Sequence, residues 1–205
     1  VQDAEGNDID DQILVNSDGV RTSGNERSFG SIFPDFTTGL SSVIKYKGFS
    51  LSTTFDYRQG GKLFSNTVGQ LRRSGVATET AANNRAPIID AQAFMLDTDG
   101  NAVPNTIEAS PESYWNGFSS ASVPEGNIFD ATFIKWRELS LTYSFPSKNL
   151  KNTFLQGASL GVQGRNLAIF NSKVPHIDPE ASLGGAASSL QGVERGAVPG
   201  SSSVG

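Results

Sequence analysis

Apolar and polar side chains alternate with a period of two along four stretches of this chain, the spacing of a strand whose successive side chains point to opposite faces. In the first, Phe36, Leu40, Ile44 and Tyr46 share one parity and Thr37, Gly39, Ser41 and Lys45 the other, with Val43 the exception. In the second, Phe49, Leu51, Thr53, Phe55 and Tyr57 oppose Ser50, Ser52, Thr54, Asp56 and Arg58. The third sets Phe133, Leu139, Leu141, Tyr143 and Phe145 against Glu138, Ser140, Thr142 and Ser144, and places Lys135 and Arg137 on the apolar parity. The fourth sets Ala158, Leu160 and Val162 against Ser159, Gly161, Gln163 and Arg165. The pattern predicts an all-β chain with strands near 35–46, 49–58, 131–145 and 157–169, and turns and loops elsewhere.

The links between these stretches alternate in length. A tight turn at Gly48 joins the first two, and "PSKNLKNTFLQG" joins the third and fourth, whereas 59–130 and the Gly/Ser/Pro-rich 170–199 are long. In an up-and-down sheet alternate connections fall at opposite ends, so every short link lies at one end and every long link at the other. Outer-membrane barrels have this asymmetry; structureless loops of such length are uncommon in compact soluble domains. Aromatic residues gather toward both ends: Tyr46, Phe49 and Phe145 beside the short links, and Phe36, Phe55, Tyr57 and Phe133 toward the long ones. Such belts suit the two membrane interfaces. On this reading Leu51, Phe55, Leu139, Leu141, Tyr143 and Phe145 face lipid, and Asp56, Arg58, Glu138 and Arg165 face a wet lumen. Lys135 and Arg137, of lipid-face parity, are expected at or above the outer interface, near lipopolysaccharide phosphates or in a solvated extension of the strand. A basic residue there costs about 0 to 1 kcal/mol, against about 2 to 4 kcal/mol at the midplane.

Composition narrows the classes further. An apolar content of 37% is low for a packed globule of 205 residues. The 16 basic residues are scattered and the net charge is -5, so there is no basic footprint for nucleic acid. The chain has no cysteine, which excludes a disulfide scaffold and a thiolate metal site. Its opening "VQDAEGNDIDD" is acidic and polar where a secretory signal is basic and then apolar. No run approaches the roughly 20 apolar residues of a membrane helix, but a membrane strand needs only about 9 to 11.

Candidate chemistry is sparse. His176 and Asp178 are not accompanied by a nucleophile in a G-x-S-x-G setting, so we read the histidine as a loop residue and the chain as no enzyme. "DTDGN" at 97–101 has its glycine fourth rather than sixth, unlike a calcium-binding EF-hand loop, and reads better as the turn of a small hairpin. "RQGG" at 58–61 lacks the lysine and hydroxyl of a phosphate-binding loop. No metal site or cofactor is expected. In "ESYWNGF", Tyr114, Trp115 and Phe118 are the candidates for stacking on a sugar or peptide; the competing reading packs them into the long loop or onto a partner.

Five pieces in order, "PDFTTGL", "YKGFSLSTTFDYRQGGKLF", "FDATFIKWRELSLTYSFP", "GRNLAIF" and "IDPE", resemble the C-terminal part of SusC/RagA-type TonB-linked outer-membrane proteins of the Bacteroidota. The resemblance spans most of the chain. It implies a partial antiparallel transmembrane β-barrel: the C-terminal strands of a large TonB-dependent transporter barrel of about 22 strands, with long extracellular loops. Residues 1–34 would form an extracellular loop segment and 35–205 the barrel portion. The implied function is import of glycans or peptides with a SusD-like surface lipoprotein and energy from TonB; the further partners are outer-membrane lipid, lipopolysaccharide, and the remainder of the barrel and its plug. No plug or TonB box is visible, and a family-type terminal strand is expected beyond "VPGSSSVG", so the chain reads as an internal piece. A scaffolding subunit of a larger outer-membrane complex and a soluble secreted β-protein are the alternatives. Within the resemblance, Asp178 and Glu180 are expected to hold backbone amides, and Arg165 to pair with a plug carboxylate.

Overall fold

The computed structural model describes residues 13–22, 28–118, 123–151, 154–182, 192–196 and 201–205. Two compact units divide the chain. One comprises 31–63, 130–192 and 197–205; the other comprises 1–30, 64–129 and 193–196.

The first unit is built on a five-stranded antiparallel sheet. Its strands are β1 (Phe36–Tyr46), β2 (Phe49–Gln59), β3 (Phe133–Ser144), β4 (Ser159–Phe170) and the two-residue β5 (Ser203–Val204), in the order β5-β4-β3-β2-β1. The period-two stretches are therefore strands, adjacent in space wherever they are adjacent in sequence. Lys47 and Gly48, both at positive φ (45° and 87°), make the two-residue turn between β1 and β2, a backbone twist that matches paired strands and that glycine adopts without cost. The sheet is open, and no closed barrel forms among the described residues.

Register puts like with like. Ile44, Leu51, Leu141 and Val162 lie in one cross-strand row, and Tyr46, Phe49, Tyr143 and Leu160 in another on the same face. The opposite face carries the rows Val43-Ser52-Ser140-Gln163 and Lys45-Ser50-Thr142-Gly161. The apolar face is not covered: Leu40, Ile44, Leu141, Leu160 and Val162 are all exposed, Leu160 by 71%.

One feature of β3 departs from the sequence pattern. Trp136 pairs with Phe55 but Glu138 with Thr54, so Arg137 is an extra residue, a β-bulge. Because the side-chain period is two, one inserted residue exchanges the faces beyond it. Trp136, not Arg137, continues the apolar row; its ring stacks on Phe55 at 5.5 Å and its indole N–H donates to Thr53 Oγ1 at 2.8 Å. Lys135 falls opposite Asp56 and Phe133 opposite Arg58, on the polar face. The expectation that Lys135 and Arg137 share the face of Leu139 and Leu141 is thus corrected, as is the apolar-face placement of Phe133. A bulge without glycine carries no turn signal, and its one trace in the sequence is the pair of cations that interrupt the apolar parity.

The second unit is assembled from short elements. Helix α1 (Asn66–Arg73) is N-capped by Ser65, and α2 (Pro111–Asn116) by Ser110. The strands Ala93–Leu96 and Ala102–Pro104 form a hairpin, against which Ile13–Leu14 pairs in parallel. Asp97 closes that hairpin, its carboxylate accepting the backbone N–H groups of Asp99 and Asn101. Val193 and Glu194 pair with Phe64 and Ser65, and the core gathers Val15, Val68, Ala93, Ala109 and Phe118. No helix among the described residues is long and apolar enough to cross a membrane.

Candidate functional site

The strongest concentration of charge lies on the polar face of the sheet, beyond the bulge. Lys135 is almost wholly buried, an expensive place for an ammonium unless it is paired. Two carboxylates meet it: Asp178 Oδ2 at 2.8 Å and Glu180 Oε2 at 2.7 Å. Glu180 also receives both terminal nitrogens of Arg137, Nη1 at 2.7 Å and Nη2 on the other oxygen, the two-pronged geometry that suits a guanidinium to a carboxylate. Arg137 Nε turns back to Asp56 on β2. A carboxylate, ammonium and guanidinium lattice thus binds the turn at Asp178–Glu180 to β3 and β2.

The local backbone makes this possible. Asp178 Oδ1 accepts the N–H of Glu180 at 2.9 Å, fixing the turn that opens the short 3-10 helix Pro179–Ser182. The bulge puts Lys135 on the polar face opposite Asp56 and leaves Arg137 outside the ladder register, and both side chains reach Glu180. Burial alone would raise the Glu180 carboxyl, but the hydrogen bonds from Arg137 and Lys135 outweigh it and hold the group below its ordinary range.

Beside the lattice opens a hollow of about 310 Å³ whose lining includes Thr37, Gly39, Asp56, Arg58, Arg137 and Glu180. Arg58 donates from Nη2 to the Ile32 carbonyl at 3.2 Å, while its buried Nε has no acceptor among the described residues. Further along the same face a second hollow of about 530 Å³ is lined by Ser140, Thr142, Gln163, Arg165 and Ser203. Hydroxyls and side-chain amides of this kind hydrogen-bond water or polar solutes; the charged hollow offers fixed positive and negative partners at separate points.

The structure places the candidates from the sequence as follows. Asp56, Arg58, Glu138 and Arg165 share the polar face. Asp56 joins the lattice, and Arg165 lies across from Glu138 at 3.8 Å, with both side chains open to solvent. Leu51, Phe55, Leu139, Leu141 and Tyr143 share the opposite face, with Phe145 edge-on to Tyr143 at 5.0 Å. Tyr114, Trp115 and Phe118 sit together in the second unit, their ring centroids 5.1 to 5.5 Å apart. The Arg72 guanidinium lies over Trp115, Phe118 and Phe129, and that of Arg21 over Phe118, leaving Phe118 buried and the other two half-exposed. Asp178 and Glu180 hold side chains as well as the one amide. Lys135 and Arg137 enter the site only through the bulge. Their signal in the sequence is two cations breaking an otherwise apolar parity.

No family model matches the chain. Among curated proteins it is 27% identical over 168 residues to the TonB-dependent receptor P3 of Formosa agariphila, a match that covers 82% of this chain and 15% of that protein. Among solved structures it is similar to the RagAB peptide importer in its closed-closed state, with a TM-score of 0.57 and 22% identity over 98% of this chain and 19% of the importer chain. A structure of the RagAB peptide transporter gives a TM-score of 0.58 and 18% identity over 92% of this chain and 21% of that one. The chain therefore spans between about a seventh and a fifth of the length of the proteins it matches. The structural likeness establishes the fold.

Proposed function

We propose that the chain is a SusC/RagA-like segment of a TonB-dependent receptor and that its five-stranded sheet is part of the wall of an outer-membrane barrel that imports nutrients. The observation that carries the reading is the uncovered apolar face. Rows such as Ile44-Leu51-Leu141-Val162 run across four strands without a covering layer. Water penalises such a face, whereas hydrocarbon does not. The other face, with its serines, threonines, Gln163, Glu138 and Arg165, suits a wet interior. Closure requires further strands, because an open edge in lipid leaves backbone groups unpaired at several kcal/mol each.

In this arrangement Leu51, Phe55, Leu139, Leu141, Tyr143 and Phe145 touch lipid, and Asp56, Arg58, Glu138 and Arg165 line the lumen. The charged lattice fixes the loop after β4 at the lumen rim, toward the long-link, extracellular end. Tyr114, Trp115 and Phe118 belong to the second unit, in which the half-exposed Trp115 and Tyr114 offer ring surface to a glycan or peptide or to a SusD-like lipoprotein. Energy from TonB would drive transport.

Deleting the full-length gene in its host tests this. Growth on a panel of oligosaccharides and of peptides as sole carbon source should fail for one class, and deletion of an adjacent SusD-like lipoprotein gene should reproduce the defect. Unchanged growth on every nutrient, with the protein recovered from the soluble fraction, would overturn the proposal.

A further inference from the structure

The short-link end of the sheet carries a charge asymmetry that the import reading does not use. Lys47, Lys148 and Lys151 all lie there, in the links themselves, and are all exposed; Lys45, close by, shares the polar-face row of Thr142 and stands apart from them. No Asp or Glu occurs from 36 to 55 or from 139 to 177, so the sequence supplies no local counter-charge. The two links abut: the Ser144 N–H donates to the Gly48 carbonyl at 2.8 Å, and the Phe145 N–H to Ala158. Lys148 lies in the short helix Ser147–Leu150 that follows, and Lys151 directly after it. Beside this cationic rim stand exposed rings: Tyr46, Phe49 and Phe145, with Phe154 94% exposed in the link itself. The Lys47 ammonium lies 5.1 Å from the centre of the Tyr46 ring. Apolar rings followed by exposed ammonium groups reproduce the profile of a bilayer surface, hydrocarbon and then phosphate.

We propose that Lys47, Lys148 and Lys151 form a binding rim for the phosphates of anionic glycerophospholipids in the leaflet at the short-link end. The proposal rests on the membrane-spanning reading of the sheet. Short links of an outer-membrane barrel face the periplasm, so the occupant is a phospholipid and not lipopolysaccharide. Lysine suits the role because its ammonium is a mobile point charge that follows a diffusing phosphate without demanding one bidentate pose. Basic residues clustered at a membrane surface add their attractions to an anionic leaflet.

The test is native mass spectrometry of the full-length receptor released from detergent with added phosphatidylglycerol, phosphatidylcholine or lipid A. Wild type should retain phosphatidylglycerol over phosphatidylcholine. The variant Lys47→Gln/Lys148→Gln/Lys151→Gln should lose that preference by at least about tenfold. Lys62→Gln/Lys173→Gln, changed outside these two links, should keep it. Equal preference in wild type and the triple variant would overturn the rim while leaving the barrel intact. Loss of lipid A in place of phosphatidylglycerol would overturn it by placing the lysines in the other leaflet. Absence of every lipid adduct, with a receptor that stays folded and soluble without detergent, would sink the membrane reading and the rim together.

Discussion

Replacing Glu180 by glutamine removes one negative charge and changes almost nothing in size. In the structure that carboxylate is shared by the buried Lys135 and by both terminal nitrogens of Arg137. Two effects compete in setting the cost. Leaving a buried ion with no counter-charge costs about 3 to 5 kcal/mol, but here each cation keeps another carboxylate, Lys135 with Asp178 and Arg137 with Asp56. The loss of hydrogen bonds to charged groups, about 1.5 to 3 kcal/mol, therefore governs, and about 2 kcal/mol is expected because the Glu180 side chain is 21% exposed. That energy holds a loop to a strand and should appear as local opening. At about 1.4 kcal/mol per factor of ten, opening of 172–182 should become about 30-fold more frequent. Hydrogen-exchange mass spectrometry of the full-length receptor in lipid nanodiscs reads this directly. Amides such as Ile177, bonded to Pro175, and Glu180, bonded to Asp178, should lose protection, while 138–144 in β3 stays as protected as in wild type. Unchanged protection of the loop, or an equal loss throughout the sheet, would refute the assignment of the lattice as a loop anchor.

The same lattice gives a pH dependence. The Glu180 carboxyl is held low, so its contribution is complete above the unfolded value of about 4.3 and disappears as pH falls through the lower folded value; the protection factors of 172–182, corrected for the intrinsic exchange rate at each pH, should be flat from neutrality to about pH 5 and fall below about pH 4. Gly48→Ala should destabilise the β1-β2 turn by about 1 to 2 kcal/mol, because φ is +87° and the added methyl would stand 2.9 Å from the Ser144 carbonyl oxygen; a shifted unfolding midpoint in denaturant measures it. Ser65→Ala should cost about 1 to 2 kcal/mol in the second unit, since the buried hydroxyl both caps α1 at Val68 N and donates to Glu194 at 2.6 Å; faster exchange at Thr67 and Val68 is the readout.

The strands were legible because a half-buried sheet writes its geometry into the chain at every second residue. Leu51, Phe55 and Tyr57 against Ser52, Asp56 and Arg58 needed no further information. Arg137 shows where that legibility stops. A one-residue bulge is decided by what Lys135 and Arg137 gain from Asp178 and Glu180, more than 40 residues away in sequence, and a local pattern does not record distant pairing. The second unit was opaque for a related reason. Its strands are two to four residues long, as at Ala93–Leu96 and Glu108–Ala109, too short to display a period, and its order comes from contacts such as Arg72 with Gly126 and Asn127. Tyr114, Trp115 and Phe118 were legible as an aromatic group but not as the ring cage around two guanidinium groups.

The central claim is that one face of the sheet meets hydrocarbon and the other meets water. Leu141 and Thr142 are neighbours on β3 with opposite faces, and this chain has no cysteine, so Leu141→Cys and Thr142→Cys give paired sites for a fluorescent label. In vesicles holding the full-length receptor, brominated lipid should quench the label at 141 and spare that at 142, while aqueous iodide should do the reverse. Quenching by lipid at 142, or by iodide at both sites, would contradict the account.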